Sequence, residues 1–300
     1  MGLENPIPST PQHLGSGSMA LVRMEESAPD HGLTRKFDRL FHMAERYSYS
    51  HMNFPSAAKD SQLPLTIKDR LMNAATRESA HQLGSTGSTR YFLMTKVILQ
   101  WMSKHVFKQS LFTGFDLDAD RRIAAYKDNI YQGMWKLSQK AFDSLLTSID
   151  TPPFVKFQLL SEISKEIRQI RENPKFPRFL DTLVKNQGNK LWAIVHPLMH
   201  HTTAMDWEDL RTLMYEAYSV AGDAAARPYE WRFDFAQIGS NYNSSMINRD
   251  PYIRGHEEEL ARRALVVRLG FLPAVYLRDN ADGVVRAGQV TRHQVLMKGQ

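Results

Sequence analysis

The chain has 300 residues, 42% of them hydrophobic and 23% charged, with a formal net charge of +6 and no cysteine. That balance belongs to an ordinary globular chain. The missing cysteines exclude disulfides, cysteine-ligated zinc and thiol catalysis, and no apolar run approaches the roughly 18 residues a membrane span needs.

Residues 1–30 are rich in Pro, Ser and Gly and are expected to be disordered. They lack the basic region and apolar core of a secretory signal, so an intracellular setting, cytoplasm or nucleus, is expected. From Thr34 a short amphipathic helix carries Phe37, Leu40, Phe41 and Ala44, and Ser48 to Leu63 reads as a surface loop. Thr66 opens a helix that runs to about Gln82, with Ile67, Leu71, Ala74 and Ala75 on one face. The turn Leu83–Ser88 (LGSTGS) stops it.

The next stretch organises the rest. In STRYFLMTKVILQWMSKHVFKQSLF the polar side chains Lys96, Gln100, Lys104 and Lys108 fall at steps of four, one narrow stripe on a helix. Nearly all other positions are apolar, so the spacing predicts a central helix over about 89–110, capped by Ser88 or Thr89 and surrounded by other elements. A long periodic helix follows, with Ile123, Tyr126, Ile130, Met134, Leu137, Ala141, Leu145 and Ile149 at steps of three and four. Another carries Phe157, Leu160, Ile163, Ile167 and Ile170 and breaks at Pro174 and Pro177. Phe179 to Leu183 continues it briefly, Leu191–Leu198 is a short apolar turn, and Asp206 caps a helix bearing Trp207, Leu210, Met214, Ala217 and Ala221.

The texture changes at Pro228. Tyr229, Trp231, Phe233 and Phe235 alternate with Glu230, Arg232 and Asp234, the period of a half-buried strand. Gly255–Arg263 reads as a helical turn, and LVVRLG, PAVYLRD and VVRAGQV as strands, the last two joined through Asn280–Gly283. The expected fold is therefore mainly α. A helical body over 31–227 is built around the central helix, and a small antiparallel α+β subdomain over 228–300 packs on it.

Two segments, FLMTKVILQWMSKHVFKQSLFTGF and RLGFLPAVYLRDNADGVVRAGQV, resemble stretches of a family of helical proteins from filamentous fungi. The closing pattern is carried here by Leu269, Pro273, Val275, Arg278 and Asp279. The resemblance covers the central helix and the final third. It implies a mainly helical, intracellular fungal protein. The family has no assigned activity, so no functional residue is carried over.

Several constellations invite a chemical reading. Asp116, Asp118 and Asp120 have the first spacings of a calcium loop, but Arg121 and Lys127 stand where Gly and a bidentate Glu are needed. The alternative is an acidic start for the following helix. His196, His200 and His201 are the best metal candidates. On a continuous helix His196 and His200 would share a face, with Asp206 or Glu208 as an oxygen ligand, yet Pro197 stands where the zinc-protease pattern needs Glu. The turn Gly84–Thr89 has the residues of a phosphate cradle, without the preceding strand or the closing Lys. His256 beside three glutamates suits proton transfer or a solvated helix start. Lys156, Lys165, Arg168, Arg171, Lys175 and Arg178 would offer phosphate contacts if they formed one face, though acids are interleaved among them.

No nucleophile motif or cofactor signature is present in the sequence. The leading expectation is a non-catalytic interaction or regulatory protein that engages a protein partner. An enzyme using His196, His200 or Asp116 in a helical pocket is one alternative, and a basic nucleic-acid-associated factor is another.

Overall fold

The computed structural model describes residues 22–23, 31–107, 111–142, 153–199, 202–279 and 286–299. The central apolar stretch is a helix over Gly87–His105, the fifth of the chain (α5). From Thr89 to Ser103 it is buried at every position except Tyr91 and Gln100, which are half-buried. Trp101 is only 5% exposed. α5 packs against α1 (His31–Met52), α3 (Leu65–Ala74), α4 (Arg77–Gly84), α8 (Phe176–Val195) and the strand β4 (Leu265–Leu272). The helix begins after Thr86, ahead of the predicted cap, and stops at His105, short of residue 110.

The predicted polar stripe needs correction. Lys104 is exposed and Gln100 half-buried, but Lys96 is 4% exposed. At mid-helix the neighbours close around the whole girth, so no solvated side is left for it.

Helix boundaries differ from the sequence reading wherever tertiary packing extends or splits a segment. α1 runs on to Met52, into the first part of the stretch expected to be loop, because Tyr47, Ser48 and Met52 are buried. The Ser48 hydroxyl is satisfied inside the helix by the Ala44 carbonyl at 3.0 Å. A short helix, α2 (Ala57–Ser61), occupies part of the same predicted loop. The single helix expected from Thr66 is split where Ala75 turns extended, and Thr76 caps α4 by accepting from the Ser79 N–H at 3.2 Å.

α6 (Leu117–Phe142) and α7 (Pro153–Glu172) pack on each other. Pro177 does not break α8, because it lies in the first turn, where no N–H partner is needed. The brief continuation and the apolar turn as far as Val195 are thus one 20-residue helix, with His196–Leu198 a 3₁₀ turn after it. α9 (Ala204–Ala225) starts with a capping box in which Thr203 is the cap and Asp206 the reciprocal third residue.

The strands are β1 (Val22–Arg23), β2 (Glu230–Asp234), β3 (Ile247–Asn248), β4, β5 (Ala274–Asp279), β6 (Arg286–Thr291) and β7 (Gln294–Gly299), with α10 (Glu257–Arg262) before β4. They form two sheets, ordered β1-β6-β5-β2 and β3-β7-β4, where a single antiparallel sheet was expected. Each is mixed, since β1 runs parallel to β6 and β3 parallel to β7. Within the segment expected to be disordered, Val22–Arg23 therefore pairs with β6; the rest of residues 1–30 lies outside the described residues.

β7 was not legible as a strand. Val295, Leu296 and Met297 are all buried, because Leu296 faces the main core while Val295 and Met297 face a second, smaller one. Burial on both faces erases the period of two. Leu269, Phe271, Leu272 and Val275 join the helical core directly, so apolar packing is continuous across residue 228. At Gly270 a Cβ would lie 2.7 Å from the Ala236 carbonyl oxygen, so only glycine lets β4 pass this close to the segment after β2. Among the described residues no helix is long and apolar enough to cross a membrane.

Candidate ligand-binding cleft

A cleft of about 710 Å³ opens where the end of α5 meets α6, α7, α9 and β2. Its floor is small because α9 presents Ala221, Ala224 and Ala225 there. Ile123 and Ile130 of α6 form one wall, and Leu160, Ile163 and Ile167 of α7 form another. The opposite side is aromatic, built from Phe107, Trp231 and Phe233. These rings are held in place from behind. Phe233 lies 4.6 Å from Phe107 and 5.6 Å from Phe37, and the Trp231 indole donates to the Ala224 carbonyl at 3.2 Å.

The polar groups of the cleft are few and mostly basic. Lys156 pairs with Glu230 at 2.7 Å, its own side chain only 13% exposed. Lys127 and Arg227 also line the cleft, and burial pushes both below the usual lysine and arginine range. The Ser164 hydroxyl is bonded back to the Leu160 carbonyl at 2.8 Å and is not poised as a nucleophile. Clefts of roughly 300–1,000 Å³, mainly apolar with a few placed polar groups, are the usual form of small-molecule sites.

Of the residues singled out in the sequence for chemistry, Lys156 lines the cleft, whereas His196 and Asp116 do not. His196 is exposed at the start of a 3₁₀ turn, His196–Leu198, after which Met199 is extended. The continuous helix that would align His196 with His200 is therefore not formed, Pro197 lying within the 3₁₀ turn instead. His200 and His201 lie outside the described residues. The acids suggested as oxygen ligands are engaged. Asp206 accepts from the Thr203 N–H and hydroxyl, both at 2.8 Å, and Glu208 pairs with Arg211 at 3.5 Å. Among the described residues no group of three or more His, Asp or Glu is arranged for a metal ion.

Asp116 accepts from the N–H groups of Asp118 and Ala119, at 2.9 and 3.1 Å, and these bonds hold its carboxyl below the usual range. Asp120 accepts from the Gly114 N–H at 2.7 Å. This trio closes the start of α6, as the helix-start reading expects. In the Gly84–Thr89 turn, the Leu83 and Gly84 carbonyls accept from Thr89 and Arg90. Of the six basic residues proposed for phosphate contacts, Lys156 pairs with Glu230 and Arg171 with Asp223, the latter at 2.7 Å. Lys165, Arg168, Lys175 and Arg178 are exposed, with Glu162 and Glu172 exposed between them.

Three polar residues turn out to be central to the packing. Arg90, 2% exposed, donates to the Met52 carbonyl at 2.9 Å, to the Gly84 carbonyl at 2.8 Å and bidentately to Asp60 at 2.8 and 2.9 Å. It thereby satisfies carbonyls at the ends of α1 and α4 and fixes α2. His51 bridges Asp206 at 3.0 Å and Asp209 at 2.9 Å, joining the end of α1 to the start of α9. Lys96 lies inside α5 with its ammonium 5.8 Å from the centre of the Phe235 ring. A charged side chain within an apolar run was the available signal for Arg90 and Lys96; no such signal exists for His51.

The chain was compared with protein-family models, curated proteins and solved structures, and none of them matches it.

Proposed function

We propose that this protein works by binding rather than by chemistry, holding an apolar small molecule in the cleft between α6, α7, α9 and β2. The cleft carries this reading. It is the place where five separated segments converge on an apolar space of ligand size, about 710 Å³. Its ionisable lining residues are two lysines, an arginine, a tyrosine and one glutamate that is paired with Lys156. Neither Asp116 nor His196, the described residues of the enzymatic alternative, lies on its wall. Such a binder suits the non-catalytic regulatory role expected from the sequence. Membership of the fungal family is likewise a proposal, supported by the two quoted segments alone.

Calorimetric titration with decan-1-ol and with decanoate, each below its aggregation limit, tests the reading. At least one of them is expected to bind at a single site. Filling the floor with Ala225→Phe should weaken that binding about tenfold or more while the helical circular dichroism is kept. Binding that Ala225→Phe leaves unchanged, or no binding of either probe, overturns it.

A further inference from the structure

His293 stands where the two sheets meet. β6 of one sheet ends at Thr291 and β7 of the other begins at Gln294, with Arg292 and His293 making the turn between them. His293 is 8% exposed and is bonded to both sheets. A ring N–H donates to the backbone carbonyl of Asp234, at the end of β2. Its own carbonyl accepts from the Ile247 N–H of β3 at 2.8 Å. Nε2 is buried with no hydrogen-bond partner among the described residues, so the donor is Nδ1 and the ring is the neutral tautomer that carries its proton there. β3 has only two residues and leans on this edge, through the Ile247 bond and through the Arg249 N–H on the Val295 carbonyl at 2.9 Å.

We propose that His293 is an acid-released latch: a proton on Nε2 creates a buried N–H with no acceptor, so the ring leaves its site and the β6–β7 turn lets go of β2 and β3 while the helical body stays closed. The latch is independent of the cleft. The charged groups around it do not offset the missing acceptor. Asp234 favours a protonated ring, but it pairs with Arg232 at 3.3 Å and its side chain is 41% exposed. Tyr276 of β5 is uncharged near neutral pH, its ring centre 6.3 Å from that of His293. Arg292 pairs with Glu257 of α10, and Arg249 with Glu45 of α1, both at 2.7 Å. Asp38 and His42 of α1 line a hollow together with Arg292. Burial outweighs the pull of Asp234 and holds the imidazole below its ordinary 6.5. Above that value neither the closed nor the opened form carries the proton, and the latch has its full strength. As the pH falls through 6.5 the opened form binds the proton first, so closure weakens with acid until the closed form is protonated too.

Amide hydrogen exchange of the full chain at about pH 7.5 and about pH 5, expressed as protection relative to intrinsic exchange, reads the latch. Protection at Ile247 and Arg249 should fall about tenfold or more on acidification, while that at Ile98 of α5 falls less than about twofold. In His293→Asn the side-chain amide can still donate to the Asp234 carbonyl but does not titrate, so the fall at Ile247 should disappear. Ring-nitrogen NMR of the parent chain should show His293 as the neutral form with its proton on Nδ1 at about pH 7. A fall at Ile247 no larger than that at Ile98 overturns the proposal. So does an equal fall in His293→Asn, or a ring that is charged or protonated on Nε2 near neutral pH. Where the variant does not fold, the exchange and ring spectrum of the parent chain decide the matter.

Discussion

Two cations are buried six residues apart on α5, and the protein treats them in opposite ways. Arg90, at the start of the helix, is 2% exposed and spends its guanidinium on two carbonyls and a bidentate carboxylate. Lys96, in the middle, is 4% exposed and has an aromatic face beside it, with no acid paired to it among the described residues. The first region is a polar knot at which four helices end or begin. The second is an apolar seam between α5 and the segment after β2. Burial alone therefore does not say whether a charge stabilises its surroundings; the partners available at that depth decide it. At the knot, helix ends supply carbonyls without intrahelical partners. At the seam, the backbone groups of mid-α5 are already paired within that helix, and the Phe235 ring faces the ammonium.

The contrast is testable from the larger effect to the smaller. Arg90→Met should cost about 3–5 kcal/mol in urea unfolding, since it strands the Asp60 carboxylate and the Met52 and Gly84 carbonyls together. Arg90→Lys should recover less than half of that, because an ammonium cannot reproduce the fork. A loss under about 1 kcal/mol for Arg90→Met would mean that the knot is ornamental.

The reverse sign is expected at Lys96. Burial pushes its ammonium down from 10.5 to about 8, which corresponds to about 3 kcal/mol of cost for carrying the charge inside. Below about pH 8 both folded and unfolded chains hold the proton, and the full cost applies. Between about 8 and 10.5 the unfolded chain still binds the proton while the folded one has released it, so this contribution makes stability rise with pH. Lys96→Met should accordingly stabilise the fold by about 1–3 kcal/mol at pH 7 and remove that rise. The quantity to measure is the difference between the two proteins across the pH series, because other groups titrate identically in both. A destabilised Lys96→Met, or a difference that does not change with pH, would show that Lys96 has a partner after all.

The smallest effect concerns the ring. Phe235→Leu should cost about 0.5–2 kcal/mol when Lys96 is present and less in the Lys96→Met background. The double-mutant cycle isolates the cation–ring term from the packing both variants disturb.

Periodicity predicted a central helix, and α5 is one, because a segment apolar on nearly every side has no stable place except the interior. The same logic failed at Lys96. A step-of-four stripe reads as a solvated face only while one side of the helix stays open, and here it does not. The 3.6 period predicted α6 and α9, and Pro228 marked the change to strands. β7 escaped because burial on both faces hides the alternation, and the join within α8 escaped because Pro177 is harmless in a first turn. For the candidate site the sequence showed less. His196 lies off the cleft wall, and of the six-residue basic set only Lys156 lines it.

Sequence alone determined that this is a mainly helical chain without cysteine chemistry, built around one greasy rod. Helix period and amino-acid chemistry are local properties, carried by neighbours three and four residues apart. Tertiary structure alone decided that Lys96 is enclosed, that Arg90 ties four helices, and that Val106, Ile130, Ile163 and Phe233 bound one space. Desolvation and cavity shape are set by side chains a hundred or more residues distant in sequence, and no local pattern encodes which of them will meet.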